Sequence, residues 1–442
     1  MKQILLTLAL LGTIASAARP DCGDFADRSK FYFDNQGNIL SRFDVGTLTD
    51  AGLTDPATRE YFRRLAAAFS YHGSQLIAMP LSVFGWSFVG RIDPREAQGT
   101  PFAALLEPGY LDKRLVANQQ RLALYRSAGL PVADYIGTAF AILRINPNLN
   151  IYNPQDTHWT PDGAKIGSEA VAAQLVEINP QLKAALNTKH FDVKAGTFAY
   201  FKNSGWPYAI RKSCPNTTWT PLSETIRTAE SVALDPVGLL DDEAAPSVVV
   251  LGSSYSSPIL GFVPYLQKDL GTEVTNAGQS GGGTFGAIRD YFALDAAQPW
   301  AKLYIWEFPD TFLFPDTEFR QVLPLLLPST EIERGSFTAP GSSIAYTPKS
   351  SGIAGSRYVA EVAFDKPQTR ELSLTLTYTD HAETVQLTKA RGSIPTQFLI
   401  ELSGTTPLKT VTATFPSAAQ GSVHVAIRQY DEAAYEADTT GN

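Results

Sequence analysis

Histidine and cysteine are scarce here: five and two among 442 residues. With no second His-rich or Cys-rich cluster, a metal site has little to build on, since a lone Asp-x-His supplies only two ligands. Long apolar runs are missing too. After the N-terminus none reaches the ~18 residues of a membrane span. Basic residues are fewer than acidic ones, 36 against 44, for a formal net charge of -8. That balance argues against nucleic acid, whose phosphates draw on clustered Lys and Arg, although a net charge does not locate the charges. Also absent are a dinucleotide glycine fingerprint and a phosphate-loop lysine, so nucleotide binding is excluded.

What is present is globular: 44% hydrophobic and 18% charged residues, enough for two or three domains. Lys2, the apolar "ILLTLALLGTIA" and Ala15-Ser16-Ala17 read as a cleavable secretory signal over 1–17, the alternative being an uncleaved membrane anchor, which the short apolar run and the small-residue exit disfavour. Removing it leaves 35 basic residues against 44 acidic and a charge of -9. Cys22 lacks the spacing of a lipoprotein signal. In an exported chain Cys22 and Cys214 form an even pair and suggest one long-range disulfide, the alternative being two buried thiols.

Helical and strand periodicities then alternate. "TREYFRRLAAAFS", "LDKRLVANQQRLALYRSAG" and "DGAKIGSEAVAAQLVEI" read as helices. "SQLIAMPLSVF", "LPVADYIG", "PSVVVLG" and "AKLYIWEF" read as buried strands. The expected fold is α/β with a mostly parallel sheet, spanning 18–330. Residues 187–245 lose the rhythm and read as an insertion or covering segment. "LPLLLPST", near 323–330, is the expected linker. From 335 to 432 six alternating Thr- and Val-rich runs predict an antiparallel β-sandwich, and 433–442 an acidic tail.

Three stretches could carry chemistry. "VVVLGSSYSS" puts serines between a buried strand and an expected helix, where ligands gather in open α/β sheets. The spacing is not that of a Gly-x-Ser-x-Gly elbow. It fits a Gly-Asp-Ser type of strand end, making Ser254 the nucleophile and placing Ser253 at the acid's position; the alternative is a helix cap. A serine nucleophile needs a base and something to orient it. "DTHW" offers His158 and Asp156 for those roles, with an Asx turn or a cap as the bland reading of Asp156. Trp159 would wall the site. "GQSGGGTFG" supplies Gly281, Gly282 and Gly283, whose amides could form an oxyanion hole with that of Ser254, or merely a flexible turn. Arg289 is expected to pair with an acid on its own helix face. Glu307 reads as a satisfied buried acid without a catalytic role, and His72, His190, His381 and His424 as isolated histidines.

The ordered set "QLIAMPLSVFG", "DTHWTPDGA", "LGSSYSS", "GGGTFG" and "IWEFP", followed by a β-sandwich, resembles the periplasmic alginate O-acetyltransferase family of AlgX and AlgJ over most of 25–330. The trailing sandwich is more AlgX-like. The resemblance implies an SGNH-hydrolase-like domain in which Asp-x-His precedes the serine, a carbohydrate-binding-module-like sandwich, and a periplasmic location. It implies Ser254, His158 and Asp156 as acetylated nucleophile, base and acid; no cofactor is expected, and the scarcity of ligands already argues against a metal. The partners it implies are a polysaccharide acceptor, alginate or another exported polymer; an acetyl donor passed on by a membrane-bound acyltransferase; and other exopolysaccharide-assembly proteins. Polysaccharide acetylesterase and non-catalytic glycan-binding scaffold are the competing expectations.

Overall fold

The computed structural model describes residues 20–434 apart from 35, 46–54, 82–84, 87–88, 235–245, 294–298, 339 and 389–393. The expected signal peptide, the end of the insertion and residues 435–442 of the tail lie outside the described residues. Among the described residues no helix is long and apolar enough to cross a membrane.

After a short helical turn, Gly23–Ala26, comes an antiparallel ribbon of β1 (Phe31–Phe33) and β2 (Ile39–Ser41). A helix, Pro56–Tyr71, then starts cleanly because Asp55 accepts from the Thr58 amide and Pro56 occupies the first helical position. It leads into β3 (Gln75–Leu81). A second antiparallel pair, β4 (Phe191–Phe198) and β5 (Ile226–Ala233), lies in the segment read as an insertion. Then come β6 (Val248–Leu251), β7 (Val274–Asn276) and β8 (Leu303–Pro309). The central sheet has the order β3-β8-β6-β7, with every pair parallel.

Both faces of this sheet are covered, so β3, β6 and β8 are mainly apolar on both sides, with Glu307 of β8 a buried exception. Ile77, Met79, Val248, Val250, Leu303 and Ile305 point into one core, with the helix Pro161–Ile178. Leu76, Ala78, Val249, Leu251, Tyr304 and Trp306 point into the other, beneath the helices Pro56–Tyr71 and Asp316–Leu326. The expected strand in "LPVADYIG" shrinks to a single parallel bridge between Val132 and Ala78. Asp134 is the cause: its carboxylate accepts from the Gly137 amide and caps a helix, Tyr135–Ile145, that consumes the rest of the run.

The C-terminal region is a sandwich of two four-stranded antiparallel sheets. Its strands are β9 (Ser329–Thr338), β10 (Gly341–Tyr346), β11 (Tyr358–Phe364), β12 (Glu371–Tyr378), β13 (Ala382–Thr388), β14 (Gln397–Glu401), β15 (Leu408–Ala419) and β16 (Ser422–Tyr430). β9 and β10 were not expected; polar and only partly covered, they carry little apolar alternation. Nor is 323–330 a linker. It holds the last turn of the helix ending at Leu326 and the start of β9, because Val322, Leu323 and Leu326 are buried in the second core. The two regions join through buried charges. Arg64 forms a two-bond pair with Glu401 at 2.7 Å, and Arg320 binds Glu383 while donating to the Glu401 carbonyl at 2.8 Å.

Candidate active site

The "DTHW" loop is a tight reversal rather than an open connection. Tyr152 and Trp159 form an antiparallel bridge, and the Asn153 amide donates to the His158 carbonyl at 2.9 Å. Thr160 and Pro161 then start the next helix, with the Thr160 hydroxyl accepting from the Gly163 amide. Gly163 allows the loop to close onto that helix, because a Cβ there would lie 2.3 Å from the Ile151 carbonyl oxygen. Residues 156 and 158 therefore project together.

Ser254 lies just beyond β6, in a single 3-10 turn, Ser254–Ser256; the α-helix proper begins at Phe262. The expected helix N-terminus is thus displaced, and a helix dipole cannot be credited with activating the hydroxyl. Ser254 Oγ lies 2.8 Å from His158 Nε2, and His158 Nδ1 is hydrogen-bonded to Asp156. The three side chains the sequence singled out meet. With Asp156 ionised, the ring proton sits on Nδ1 and the Nε2 lone pair faces the serine hydroxyl.

The electrostatics keep Asp156 ionised and favour the imidazolium that forms when the ring takes a proton. Burial opposes an imidazolium at His158, but the Asp156 carboxylate beside it, with Glu307 and Asp44 adding to it, outweighs burial and raises the His158 pKa. For Asp156 burial likewise works against the charge. The His158 ring, the His158 amide and the Tyr200 hydroxyl overcome it, so the carboxyl pKa is lowered.

Two segments outside the α/β core hold this loop. From the insertion come Tyr200 and Gly205; Gly205 has φ +70°, and a Cβ there would meet Asp156 Oδ2 at 2.7 Å. From the N-terminal ribbon comes Asp44, fully buried, which accepts from Thr157. Burial is also what raises the Asp44 pKa. Gln155 bridges the two segments, donating to the Gly37 carbonyl and accepting from the Leu222 amide. The disulfide Cys22–Cys214, with Cα atoms 5.9 Å apart, ties the same segments together.

Several expected roles change. Trp159 is fully buried and does not wall the site; its indole donates to the Tyr255 carbonyl at 3.0 Å, locking the histidine loop to the serine turn. Gly282 lines the cavity, but its amide donates to the Gln279 carbonyl at 3.2 Å and is a poor oxyanion donor. Gly283 lines the cavity beside Ser254, whereas Gly281 does not. Arg289 pairs with Glu318 at 2.9 Å, an acid on the neighbouring helix rather than its own. Tyr200, Tyr255 and Asp44 were not singled out from sequence. Nothing in their local patterns marked them, since each reaches the loop from a distant segment.

Ser254 opens onto a cavity of about 1090 Å³. Phe43, Tyr110, Phe312 and Leu313 give it apolar walls, and Arg42, Glu107 and Glu318 add charge. Among the described residues no cluster of three His, Cys, Asp or Glu side chains is arranged to hold a metal ion.

A family model described as "SGNH hydrolase-like domain, acetyltransferase AlgX" matches residues 47–310. The chain belongs to the AlgX family. Alginate biosynthesis protein AlgX of Pseudomonas fluorescens is 23% identical over 358 residues, 78% of this chain and 70% of that protein. The probable alginate O-acetylase AlgJ of Pseudomonas putida is 27% identical over 165 residues, 36% of this chain and 42% of the relative. The solved structure of Pseudomonas aeruginosa AlgX superposes with a TM-score of 0.73 at 18% identity, covering 94% of this chain and 99% of that one. This likeness carries the fold: the SGNH-like parallel-sheet domain followed by an antiparallel sandwich is that of the AlgX family, as the order of motifs predicts.

Proposed function

We propose that the protein is an exported polysaccharide O-acetyltransferase, working through an acetyl-serine at Ser254. The observation that carries this reading is the 2.8 Å approach of Ser254 Oγ to His158 Nε2, with Asp156 on the other ring nitrogen, at the wall of a cavity of about 1090 Å³. Membership of a family named for an acetyltransferase supports it, as do relatives named alginate biosynthesis protein and probable alginate O-acetylase.

In the first half-reaction Ser254 Oγ attacks the carbonyl carbon of an acetyl ester while its proton passes to His158 Nε2. Backbone amides at Ser254 and Gly283 hold the oxyanion. The ester C–O bond breaks, the leaving alkoxide takes the proton from His158, and acetyl-Ser254 remains. In the second half a sugar hydroxyl gives its proton to His158 and attacks the acetyl carbon. The bond to Ser254 Oγ breaks, and the proton returns to that oxygen. Asp156 stays ionised throughout and stabilises the imidazolium.

The acceptor is a polysaccharide, with Phe43 and Phe312 offering apolar surface to sugars and Arg42 a cation for an acidic residue such as a uronate. Such a cavity is at the upper end of small-ligand sites, enough for part of a polymer. The periplasm is the proposed location, after cleavage of residues 1–17. A membrane-bound acyltransferase supplies the acetyl group alongside other polymer-assembly proteins, and the 335–432 region binds glycan.

The test is incubation of the pure protein with an activated acetyl ester and acidic and neutral oligosaccharides, followed by mass spectrometry of protein and glycan. Acetyl on the Ser254 peptide together with acetylated oligosaccharide is expected. Release of acetate alone would make it an esterase, and no acetyl-serine would leave only a glycan-binding scaffold.

A further inference from the structure

Glu307 lies at the carboxyl end of β8, directly behind the serine turn, and is 1% exposed. Three donors converge on its carboxylate. The Ser253 amide donates to Oε2 at 2.9 Å, the Ser256 hydroxyl to Oε2 at 2.6 Å, and the Ser253 hydroxyl to Oε1 at 2.7 Å. The Ser253 oxygen in turn accepts from the Tyr255 amide at 3.3 Å. The residues on both sides of Ser254 are therefore fixed to one side chain on the neighbouring parallel strand. The fit leaves no slack: a Cβ on Gly252 would stand 2.0 Å from Ser256 Oγ and 2.8 Å from Glu307 Oε2.

The same carboxylate acts on the histidine. The groups facing His158 are Asp156 from its own loop, Glu307 from β8, Asp44 from the 3-10 turn after β2 and, ring to ring at 4.8 Å, Tyr255 from the serine turn. Burial raises the Glu307 pKa, while the Ser256 and Ser253 donors and the charge at His158 pull it back. Of the three donors, the Ser253 N–H can only give a hydrogen bond, and an unprotonated carboxylate, with every lone pair free to accept, is the form that takes all three at once without turning a hydroxyl round.

Building on the acetyl-transfer reading, we propose that Glu307 is a positioning residue: an ionised carboxylate that clamps the Gly252–Ser256 turn so that Ser254 meets His158, and that favours the imidazolium formed as the acetyl group moves. It touches neither donor nor acceptor and acts through Ser253, Ser256 and the field at His158. A residue that merely filled space would hold the turn without influencing the ring's titration.

Glu307→Gln keeps the size, removes the charge and sets an NH2 against one of the three donors. The readouts are an NMR titration of the His158 ring in the resting protein and the pH profile of acetyl-Ser254 formation. We expect the His158 midpoint to move to lower pH and kcat to fall about 100-fold with KM little changed, the loss typical of a misplaced reacting group. Glu307→Asp, which retains the charge but draws back from the turn, keeps the wild-type midpoint and restores part of the rate. An unmoved midpoint in Glu307→Gln, or a kcat within about twofold of wild type, overturns the proposal. If Glu307→Gln does not fold, Glu307→Asp decides: a midpoint that drops although the charge is kept also overturns it. Should the midpoint move as expected while wild-type Ser254 never acquires acetyl, acetyl transfer is refuted and the link from Glu307 to His158 stands.

Discussion

Among the described residues the chain holds two Ser–His–Asp constellations, one in each region. In the α/β region Ser254, His158 and Asp156 meet beside a cavity. In the sandwich Ser336 Oγ lies 2.9 Å from His424 Nδ1, and His424 Nε2 lies 2.9 Å from Asp365. By residue type and distance the two are close to indistinguishable. Their surroundings separate them. Ser336 and His424 are directly opposed on neighbouring antiparallel strands, β9 and β16, and the Asp365 side chain is 54% exposed. Water competes for every bond there, and no strand-end turn holds the serine. At the first site Asp156 is buried, the ring is biased toward protonation, and Glu307, Tyr200 and Trp159 fix the loops that carry the three groups. Hydrogen-bond geometry alone does not make a nucleophile; a dry, pre-set environment does.

The sharpest way to break this comparison is to remove each serine. Ser254→Ala is expected to abolish acetyl-enzyme formation, a loss on the order of 10⁶ in kcat, as when a member of a cooperating triad is deleted. Mass spectrometry of the trapped protein checks it. Next in size is Asp156→Asn, with a fall of about 10⁴ through loss of the correct tautomer. This variant also tests the pH dependence. The base must be neutral, and Asp156 raises the His158 pKa, so kcat/KM should climb with pH through a midpoint above the ordinary imidazole value of about 6.5. Asp156→Asn should move that midpoint downward, and a midpoint that stays in place would sink the electrostatic account.

Smaller effects concern stability. Arg64→Ala strands Glu401, whose side chain has no exposure, at the junction of the two regions, and should cost about 3 kcal/mol in chemical denaturation of the whole chain. Gly252→Ala forces a Cβ against Ser256 and Glu307 and should cost about 1–3 kcal/mol, with a visible fall in rate as the turn shifts. The smallest expected effect is at the second constellation. Ser336→Ala, on an exposed strand, should change stability by less than about 0.5 kcal/mol and leave acetyl transfer intact; a clear loss of activity would mean that the sandwich takes part in the chemistry.

Much of this was legible in the linear chain. The apolar β6 and β8 runs announced buried parallel strands, and Asp156 and His158 stood out because histidine is so scarce. Ser254 was marked by the glycine and serines following an apolar strand. Glu307 was read as a satisfied buried acid, correctly as far as burial goes, yet its position behind Ser254 depends on β8 pairing in parallel with β6, 50 residues or so apart, which no local pattern encodes. "LPVADYIG" misled because the Asp134 cap starts a helix inside an apolar run, and β9 and β10 were missed because little of either is buried.

The sequence by itself determined the order of elements, the two kinds of region and the three side chains suited to proton transfer, because periodicity and residue chemistry are local properties. Tertiary structure alone decided which serine meets its histidine in a buried, pre-set turn, which carboxylate stays charged in a dry setting, and that Trp159 is a structural peg rather than a cavity wall. Those outcomes depend on distance and on the exclusion of water, and both arise only when remote segments pack.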